Sequence, residues 1–216
     1  KNLFLFGLVF GFGFYLCGIS WIVNSLTFDE NFKIFIPFAL ILIPLFLSLF
    51  MAITILLVGP YLRFNFPSLL LLAASLAFSD YLRSKILTGF PWNLWAYSTS
   101  WANEVLQILN IIGLFSYNLL IITLFFLPLI AFFKINPIKK ILCFTFILIT
   151  ILASYIFGNY EINKNKKKLN KIDEKIFVKI ISPNFDLEYN LNQNQIKERL
   201  KKLIRYSDPS KEQKTL

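Results

Sequence analysis

Histidine is absent from the 216-residue sequence, and cysteine occurs only twice, at Cys17 and Cys143. The absence of histidine excludes a histidine-based catalytic triad, a histidine metal site and a histidine proton relay within this chain. No CxxC pair or cluster with metal-ligand spacing is present, so the sequence predicts neither a metal site nor a cofactor. Both cysteines lie in apolar runs, where a free thiol is normally a small buried hydrophobic side chain. Cys17 also lacks an activating base or cation, because its neighbours are Leu16 and Gly18.

Charged residues are also scarce, at 16% of the chain, whereas 56% of the residues are hydrophobic and 25 are phenylalanine. Long apolar runs predict transmembrane helices, because about 20 residues at about 1.5 Å each cross the hydrocarbon core. A closed β-barrel is the other spanning solution, but these runs do not alternate apolar with polar residues. The sequence therefore predicts an all-α polytopic membrane bundle of about five transmembrane helices. The predicted spans cover residues 3–23, 34–58, 68–87, 105–133 and 141–157.

Lysines are concentrated after the last apolar run, and we interpret residues 159–175 as a basic linker. Such a run is also found in proteins that bind nucleic acid or anionic lipid. Because this one directly follows a membrane helix, we favour a solvated linker beside phospholipid headgroups, with no nucleic-acid partner.

The orientation in the membrane follows from which loops share a side. Alternation of five spans places the loops near Arg63 and Lys134 on one side, and the acidic 26–33 loop, the aromatic 88–104 loop and the C-terminal tail on the other. If the tail is ignored, the positive-inside rule makes the side with the loops near Arg63 and Lys134 cytoplasmic. If the lysines of the tail are counted, the rule makes the side that carries the tail cytoplasmic. Because long domains translocate largely regardless of charge, we favour a tail outside the cytoplasm.

A polar segment at the end of the third apolar run is the most informative part of the sequence. Asp80 and Arg83 are three residues apart and share one helix face. An unpaired charge at that depth is costly, so we expect either a mutual ion pair that braces the helix or an Arg83 contact with a phosphate headgroup. The turn at residues 89–92 is rigid, because its proline fixes φ and restricts the residue before it. This turn is either an aromatic anchor at the membrane interface or part of a functional surface.

The polar tail indicates the start of a soluble α/β domain. Residues 176–181 are a short, mostly apolar strand candidate. About 40 residues are too few to bury a core of their own, and the chain begins without an initiator methionine, so we expect a fragment of a longer protein. The apolar residues of a following helix recur at the spacing of one face, at Ile196, Leu200, Leu203 and Ile204.

Together these features resemble apolipoprotein N-acyltransferase. The resemblance is strongest at Thr88-Gly89-Phe90-Pro91-Trp92 and at Asp80-Tyr81-Leu82-Arg83, where the family commonly has Glu-x-x-Arg. It is supported by Gly18-Ile19-Ser20-Trp21, by Gly113-Leu114 and by Ile180-Ile181-Ser182-Pro183-Asn184, which resembles the opening strand of the family's nitrilase-like domain. The sequence departs from the family pattern where Asp80 replaces a glutamate and Ser182 a glutamine.

The resemblance implies a helical membrane domain at residues 1–158 and, after the linker, the truncated start of an α/β nitrilase-like (carbon–nitrogen hydrolase) domain at residues 176–216. It implies a multi-pass enzyme of the bacterial inner membrane whose soluble C-terminal part lies on the periplasmic side. Such an enzyme takes an acyl chain from a phospholipid and forms a cysteine thioester. It then acylates the N-terminal α-amino group of a diacylglyceryl-cysteine lipoprotein. The implied partners are a phospholipid acyl donor, a lipoprotein acceptor and the membrane.

The resemblance also implies that the catalytic Glu, Lys and Cys lie after Leu216, so no catalytic residue is assigned within this chain and the isolated fragment is predicted to be inactive. Two alternatives from other classes stay open: a transporter bundle for a small molecule or lipid, and a non-enzymatic membrane anchor. Transport predicts ionisable residues in several spans, whereas here they are nearly confined to one. We assign the positioning of substrate or lipid to Asp80, Arg83, Gly89, Phe90, Pro91 and Trp92.

Overall fold

The computed structural model describes residues 2–86, 89–169, 180–185 and 191–207, and all regular secondary structure within these ranges is helical. The α-helices are α1 (Asn2–Ile19), α2 (Ile36–Val58), α3 (Phe66–Arg83), α4 (Asn103–Leu106), α5 (Leu109–Phe126), α6 (Pro137–Leu169) and α7 (Gln193–Ser207). Short 3₁₀ segments lie at Ser20–Thr27, Glu30–Phe35, Gly59–Tyr61, Trp95–Thr99 and Leu127–Phe132.

Four helical stretches in the described residues are long and apolar enough to cross a membrane. They are Asn2–Thr27, Glu30–Tyr61, Leu109–Phe132 and Pro137–Leu169. The predicted count of about five is therefore wrong, because the predicted span at 68–87 corresponds to α3, which is not among the four. α3 has 18 residues, about 27 Å of helix against a hydrocarbon core of about 30 Å. Asp80 and Arg83 in its last turns also lower its mean hydropathy.

α1 and α2 form a closely packed pair because α1 presents glycines to α2. A Cβ on Gly7 would lie 2.8 Å from the Cα of Ala52, and a Cβ on Gly11 would lie 3.0 Å from the Cβ of Ser48. Small residues let helix backbones approach where lipid supplies no hydrophobic driving force. The buried side chains at this contact are Tyr15, Ile19, Leu47 and Met51.

α3 buries its small residues against α5, where Ala73, Leu76 and Ala77 pack on Ile122. The loop that follows α3 also packs on α5, through a cluster formed by Leu94, Ala96, Tyr117 and Ile121. The end of α3, the loop and the middle of α5 therefore form one packed unit.

The predicted span at 105–133 is interrupted in the structure. α5 contains a non-helical residue, Gly113, with φ 74° and ψ 169°, a conformation that glycine tolerates and other residues rarely adopt. After Phe126 the chain tightens into the 3₁₀ segment Leu127–Phe132, which has a proline in its first turn. Proline lacks the N–H that a continued α-helix would need.

α6 is longer than the predicted span at 141–157 and continues through Leu169. The first part of the predicted basic linker at 159–175 is therefore helical, and residues 170–175 lie outside the described part of the chain. An ion pair of 2.8 Å between Lys164 and Glu161, one turn apart, supports this extension.

The tail is described only in part. Of the predicted strand at 176–181, residues 176–179 lie outside the described ranges, and Ile180 and Ile181 do not form a strand. The predicted amphipathic helix is present as α7, with Ile196, Leu200 and Ile204 exposed along one face. The nitrilase-like domain stays a prediction.

Candidate functional site

The last turns of α3 bury an ion pair. Asp80 is 4% exposed and Arg83 is 1% exposed, and Arg83 Nη2 donates to Asp80 Oδ1 at 3.0 Å. Charged side chains are removed from water only where they are paired and hydrogen-bonded, because desolvation costs several kcal/mol per ion. The spacing of three residues on one helix face brings these two groups together, which is one of the two arrangements that the sequence left open.

Arg83 also binds the backbone of the aromatic turn, which we define as residues 89–92. Its Nη1 donates to the carbonyl oxygens of Phe90 at 2.6 Å and of Trp92 at 2.8 Å. The Phe90 N–H in turn donates to the carbonyl oxygen of Arg83 at 3.1 Å. The guanidinium therefore bridges the Asp80 carboxylate and two carbonyls of the turn, a fork geometry that a lysine cannot reproduce.

Gly89 lets the chain reverse direction directly after α3. Its φ is 80°, and a Cβ at this position would lie 2.5 Å from the carbonyl oxygen of Ser84. Glycine is therefore required here both by conformation and by space. Its neighbour Thr88, which is part of the motif that resembles the family, lies outside the described residues. Pro91 contributes its carbonyl oxygen, which accepts from the hydroxyl of Tyr97 at 3.3 Å.

Asn118 is a member of this network that the sequence did not predict. It is 0% exposed; its Nδ2 donates to Asp80 Oδ2 at 2.9 Å, and its Oδ1 accepts from the Ala96 N–H at 3.0 Å. Asn118 therefore joins α5 to α3 and to the loop at once. The sequence feature that could have identified Asn118 is that it is a lone amide side chain within an apolar run, because such side chains commonly form hydrogen bonds between membrane helices.

Aromatic rings from α1 close the network from a third direction. The guanidinium carbon of Arg83 lies 5.2 Å from the ring centroid of Tyr15, a cation–π contact worth roughly 0.5–2 kcal/mol. The ring of Phe14, which directly precedes Tyr15 in α1, stacks on the ring of Trp95 in the loop, with centroids 5.0 Å apart. The loop is thereby held by α1, α3 and α5 together.

Asn93 fits against a glycine of α1. Its φ is 57°, and its Nδ2 donates to the carbonyl oxygen of Phe14 at 3.4 Å. A Cβ on Gly18 would overlap the Asn93 side chain. The Gly18 that begins the motif noted at residues 18–21 therefore provides the space into which this side chain fits.

The outer face of the aromatic turn is exposed. Trp92 is 53% exposed and Trp21 is 54% exposed, and their rings meet edge to face with centroids 6.3 Å apart. Trp101 on the same loop is 84% exposed. Tryptophan is enriched at membrane–water interfaces because its ring is apolar and its N–H is polar. The site thus combines a buried polar brace with an exposed aromatic surface.

The charged side chains of the site are engaged in hydrogen bonds within the protein. Both Asp80 oxygens accept hydrogen bonds and Arg83 is committed to the turn, so neither side chain is free to act as a nucleophile or a base. Cys17 and Cys143 are free thiols outside this network. Among the described residues, no group of three His, Cys, Asp or Glu side chains comes together in a way that could hold a metal ion.

The fold and the site define the chain as a polytopic helical membrane protein in which a buried ion pair fixes an aromatic turn. The sequence profile of the apolipoprotein N-acyltransferase N-terminal domain matches residues 1–127. This match covers more than half of the chain, and the chain belongs to the apolipoprotein N-acyltransferase family.

Curated relatives agree with this assignment. The chain is 27% identical over 203 residues to the apolipoprotein N-acyltransferase of Rhodopseudomonas palustris, covering 93% of this chain and 37% of that protein. It is 28% identical over 180 residues to that of Rickettsia prowazekii, covering 82% of this chain and 35% of that protein. With the Bradyrhizobium diazoefficiens protein of the same name, identity is 34% over 57% of this chain and 23% of that protein. The chain thus spans between about a quarter and a little more than a third of the length of these relatives. No solved structure matches it.

Proposed function

We propose that this chain is the membrane part of an enzyme that transfers a phospholipid acyl chain, through a cysteine thioester, to the N-terminal α-amino group of a diacylglyceryl-cysteine lipoprotein. The observation that carries the proposal is the aromatic turn, held by Arg83 and exposed through Trp92 at the end of α3. Membership of the family supports the reaction. The catalytic Glu, Lys and Cys of a nitrilase-like domain would lie after Leu216.

In this function, Asp80, Arg83 and the aromatic turn support the mouth through which lipid substrates reach the soluble domain. A turn tied to a buried guanidinium keeps its shape when a substrate arrives, so little ordering free energy is lost on binding. The geometry favours bracing over a headgroup contact for Arg83, because its guanidinium is buried and its Nη atoms are bonded within the protein. A transporter would instead direct ionisable side chains toward a pathway.

The location that goes with this function is the bacterial inner membrane, with the C-terminal part on the periplasmic side. The side on which the tail lies depends on whether α3 crosses the bilayer. With four crossings the tail lies on the same side as the start of α1, and with five it lies on the opposite side. A fusion of alkaline phosphatase after Leu169 tests it, because this enzyme is active only when exported. We expect an active fusion, and an inactive fusion at normal protein levels would contradict the periplasmic placement.

The acyl-transfer proposal is tested with the reading frame that encodes this chain, expressed from its natural start to its natural stop codon in cells depleted of their own N-acyltransferase. We expect an acyl thioester on a cysteine after Leu216 and N-acylated lipoprotein, both detected by mass spectrometry. Cys17→Ala and Cys143→Ala are matched controls that should leave the thioester unchanged. A stop codon soon after Leu216, or unmodified lipoprotein from a stably expressed product, would refute the proposal. A thioester lost on either alanine substitution would refute the placement of the nucleophile.

A further inference from the structure

α5 is divided into two parts at Gly113. This residue has φ 74° and ψ 169°, a backbone conformation that essentially only glycine adopts. The helical residues before Gly113 therefore do not continue the axis of the residues after it. A Cβ added to Gly113 would meet no described atom within 4 Å, so the space around the bend leaves room for its angle to change.

The part of α5 after the bend is bonded to α3 and to the loop that follows α3. Asn118 forms hydrogen bonds to both of them. The hydroxyl groups of Tyr117 and Thr99 lie 2.7 Å apart and form a second hydrogen bond between α5 and the loop. We call α3, residues 89–99 and residues 114–126 the braced unit, because these hydrogen bonds hold its three parts together.

The residues before the bend are attached to α6 instead. The buried residues of α6 are Ser154 and Gly158, which lie one turn apart on one face. A Cβ on Gly158 would overlap the carbonyl oxygen of Glu104, so the backbone of α4 lies directly against α6. The turns of α4 continue to the bend, where the Ile112 N–H donates to the carbonyl oxygen of Ile108 at 3.1 Å. α4 and α6 therefore form a second packed unit.

α6 is loosely held apart from its contact with α4. In its most apolar stretch, 11% of the residues are buried within the described chain, against 33% in the spans that contain α2 and α5. Toward the N-terminal end of α6, Cys143 and Ile147 pack against a buried cluster that includes Leu127 and Ile130. Elements with few buried contacts move at a low free-energy cost. The packing therefore allows α6 to turn about its N-terminal end and to carry α4 with it.

We propose that Gly113 is a hinge about which α4 and α6 move together relative to the braced unit. The other connection between α4 and the braced unit is also non-helical, since Ala102 has φ −107° and ψ 82° and the preceding Trp101 is 84% exposed. Both connections lie on the side of the aromatic turn, so the movement changes the distance between that turn and the C-terminal half of α6. The movement does not depend on acyl transfer, so it is testable whether or not the proposed reaction occurs.

The movement is tested by double electron–electron resonance on the protein expressed from its complete reading frame and placed in lipid nanodiscs. Spin labels are attached through p-acetylphenylalanine, so that the cysteines stay in place. One pair, Phe78 of α3 and Ile156 of α6, spans the hinge, whereas Phe78 with Phe125 lies within the braced unit and Asn103 with Ile138 lies within α4 and α6. We expect the distance distribution of the first pair to be at least about twofold wider than those of the other two. Equal widths for all three pairs would overturn the proposal.

Gly113→Ala tests the hinge residue itself, with Gly13→Ala as the matched control. An added Cβ meets no described atom within 4 Å at either position, and of the two glycines only Gly113 has a positive φ. Because alanine rarely adopts the conformation of Gly113, Gly113→Ala should restrict the bend and narrow the distribution between Phe78 and Ile156 to the width measured within the braced unit. Gly13→Ala should leave that distribution unchanged. A folded Gly113→Ala protein with an unchanged distribution would overturn the hinge, and the comparison of the three label pairs decides the proposal if this variant does not fold.

Discussion

Replacing Arg83 with methionine tests whether a buried guanidinium holds the end of α3 to the aromatic turn. Methionine approximates the length of the aliphatic stem but removes every donor. It leaves the Asp80 carboxylate without its cation and the carbonyl oxygens of Phe90 and Trp92 without Nη1. The contact between Tyr15 and the cation is lost as well.

The size of the effect follows from these contacts. A buried charge that loses its partner costs about 3–5 kcal/mol, and each of the two carbonyls left without its charged donor adds about 1 kcal/mol. We therefore expect Arg83→Met to lower the free energy of unfolding by about 5–7 kcal/mol. Arg83→Lys retains the charge but not the fork, and should cost about 1–3 kcal/mol.

The assay is unfolding in mild detergent micelles, followed by tryptophan fluorescence, with Arg63→Met as the control. Arg63 is an exposed arginine before the other end of α3, so its loss should change the free energy of unfolding by no more than about 0.5 kcal/mol. The double variant Asp80→Asn with Arg83→Met removes the orphaned charge. Its cost should fall short of the sum of the single variants by about 1–3 kcal/mol.

Two results would refute this reasoning. The first is an Arg83→Met protein as stable as the Arg63→Met control, which would mean that the guanidinium contributes nothing to holding the turn. The second is strict additivity of Asp80→Asn and Arg83→Met, which would mean that the two side chains do not interact energetically.

Three substitutions test the packing around the network. Gly18→Ala should lower the thermal midpoint of unfolding, because the added Cβ would overlap the Asn93 side chain. The control Gly13→Ala has open space around the added Cβ and should be neutral or stabilising by up to about 1 kcal/mol. Equal thermal midpoints for the two variants would contradict the contact between Gly18 and Asn93. Gly158→Ala should loosen α4 from α6, because its Cβ would overlap a backbone carbonyl of α4, and an unchanged rate of proteolysis in the loop before α4 would count against this. Asn118→Leu should lower the free energy of unfolding by about 2–3 kcal/mol, since it leaves Asp80 Oδ2 and the Ala96 N–H without this hydrogen-bond partner. A loss below about 0.5 kcal/mol would show that the Asn118 amide is dispensable.

The sequence predicted a helical membrane bundle because composition and run length are sufficient to identify apolar helices. The predicted number of spans was wrong because of α3, which was predicted as a transmembrane helix. This helix ends in a buried ion pair, and it is not among the four stretches that are long and apolar enough to cross a membrane. The sequence did not predict that α6 continues to Leu169, because a helix can continue past the apolar run when charged side chains pair along its surface.

The candidate site was predictable as a pair and a turn. An ion pair between Asp80 and Arg83 was one of two expected arrangements because the residues are one helical turn apart, and the turn was expected to be rigid because of its proline. Asn118 was not predicted, since its partners are 38 and 22 residues away along the chain. Hydrogen bonds at such separations depend on how α5 packs against α3, which local periodicity does not encode.

By itself the sequence determined that the chain is helical and apolar enough for a membrane, and that charge and aromatic residues meet where α3 ends. Only the tertiary structure decided what Arg83 binds. The sequence left open an ion pair or a headgroup contact, and the main acceptors for Nη1 are two backbone carbonyls, which every residue possesses and no sequence pattern reveals. Burial then made the arrangement specific, because a desolvated guanidinium requires partners, and Asp80 and the folded loop provide them for its two Nη atoms.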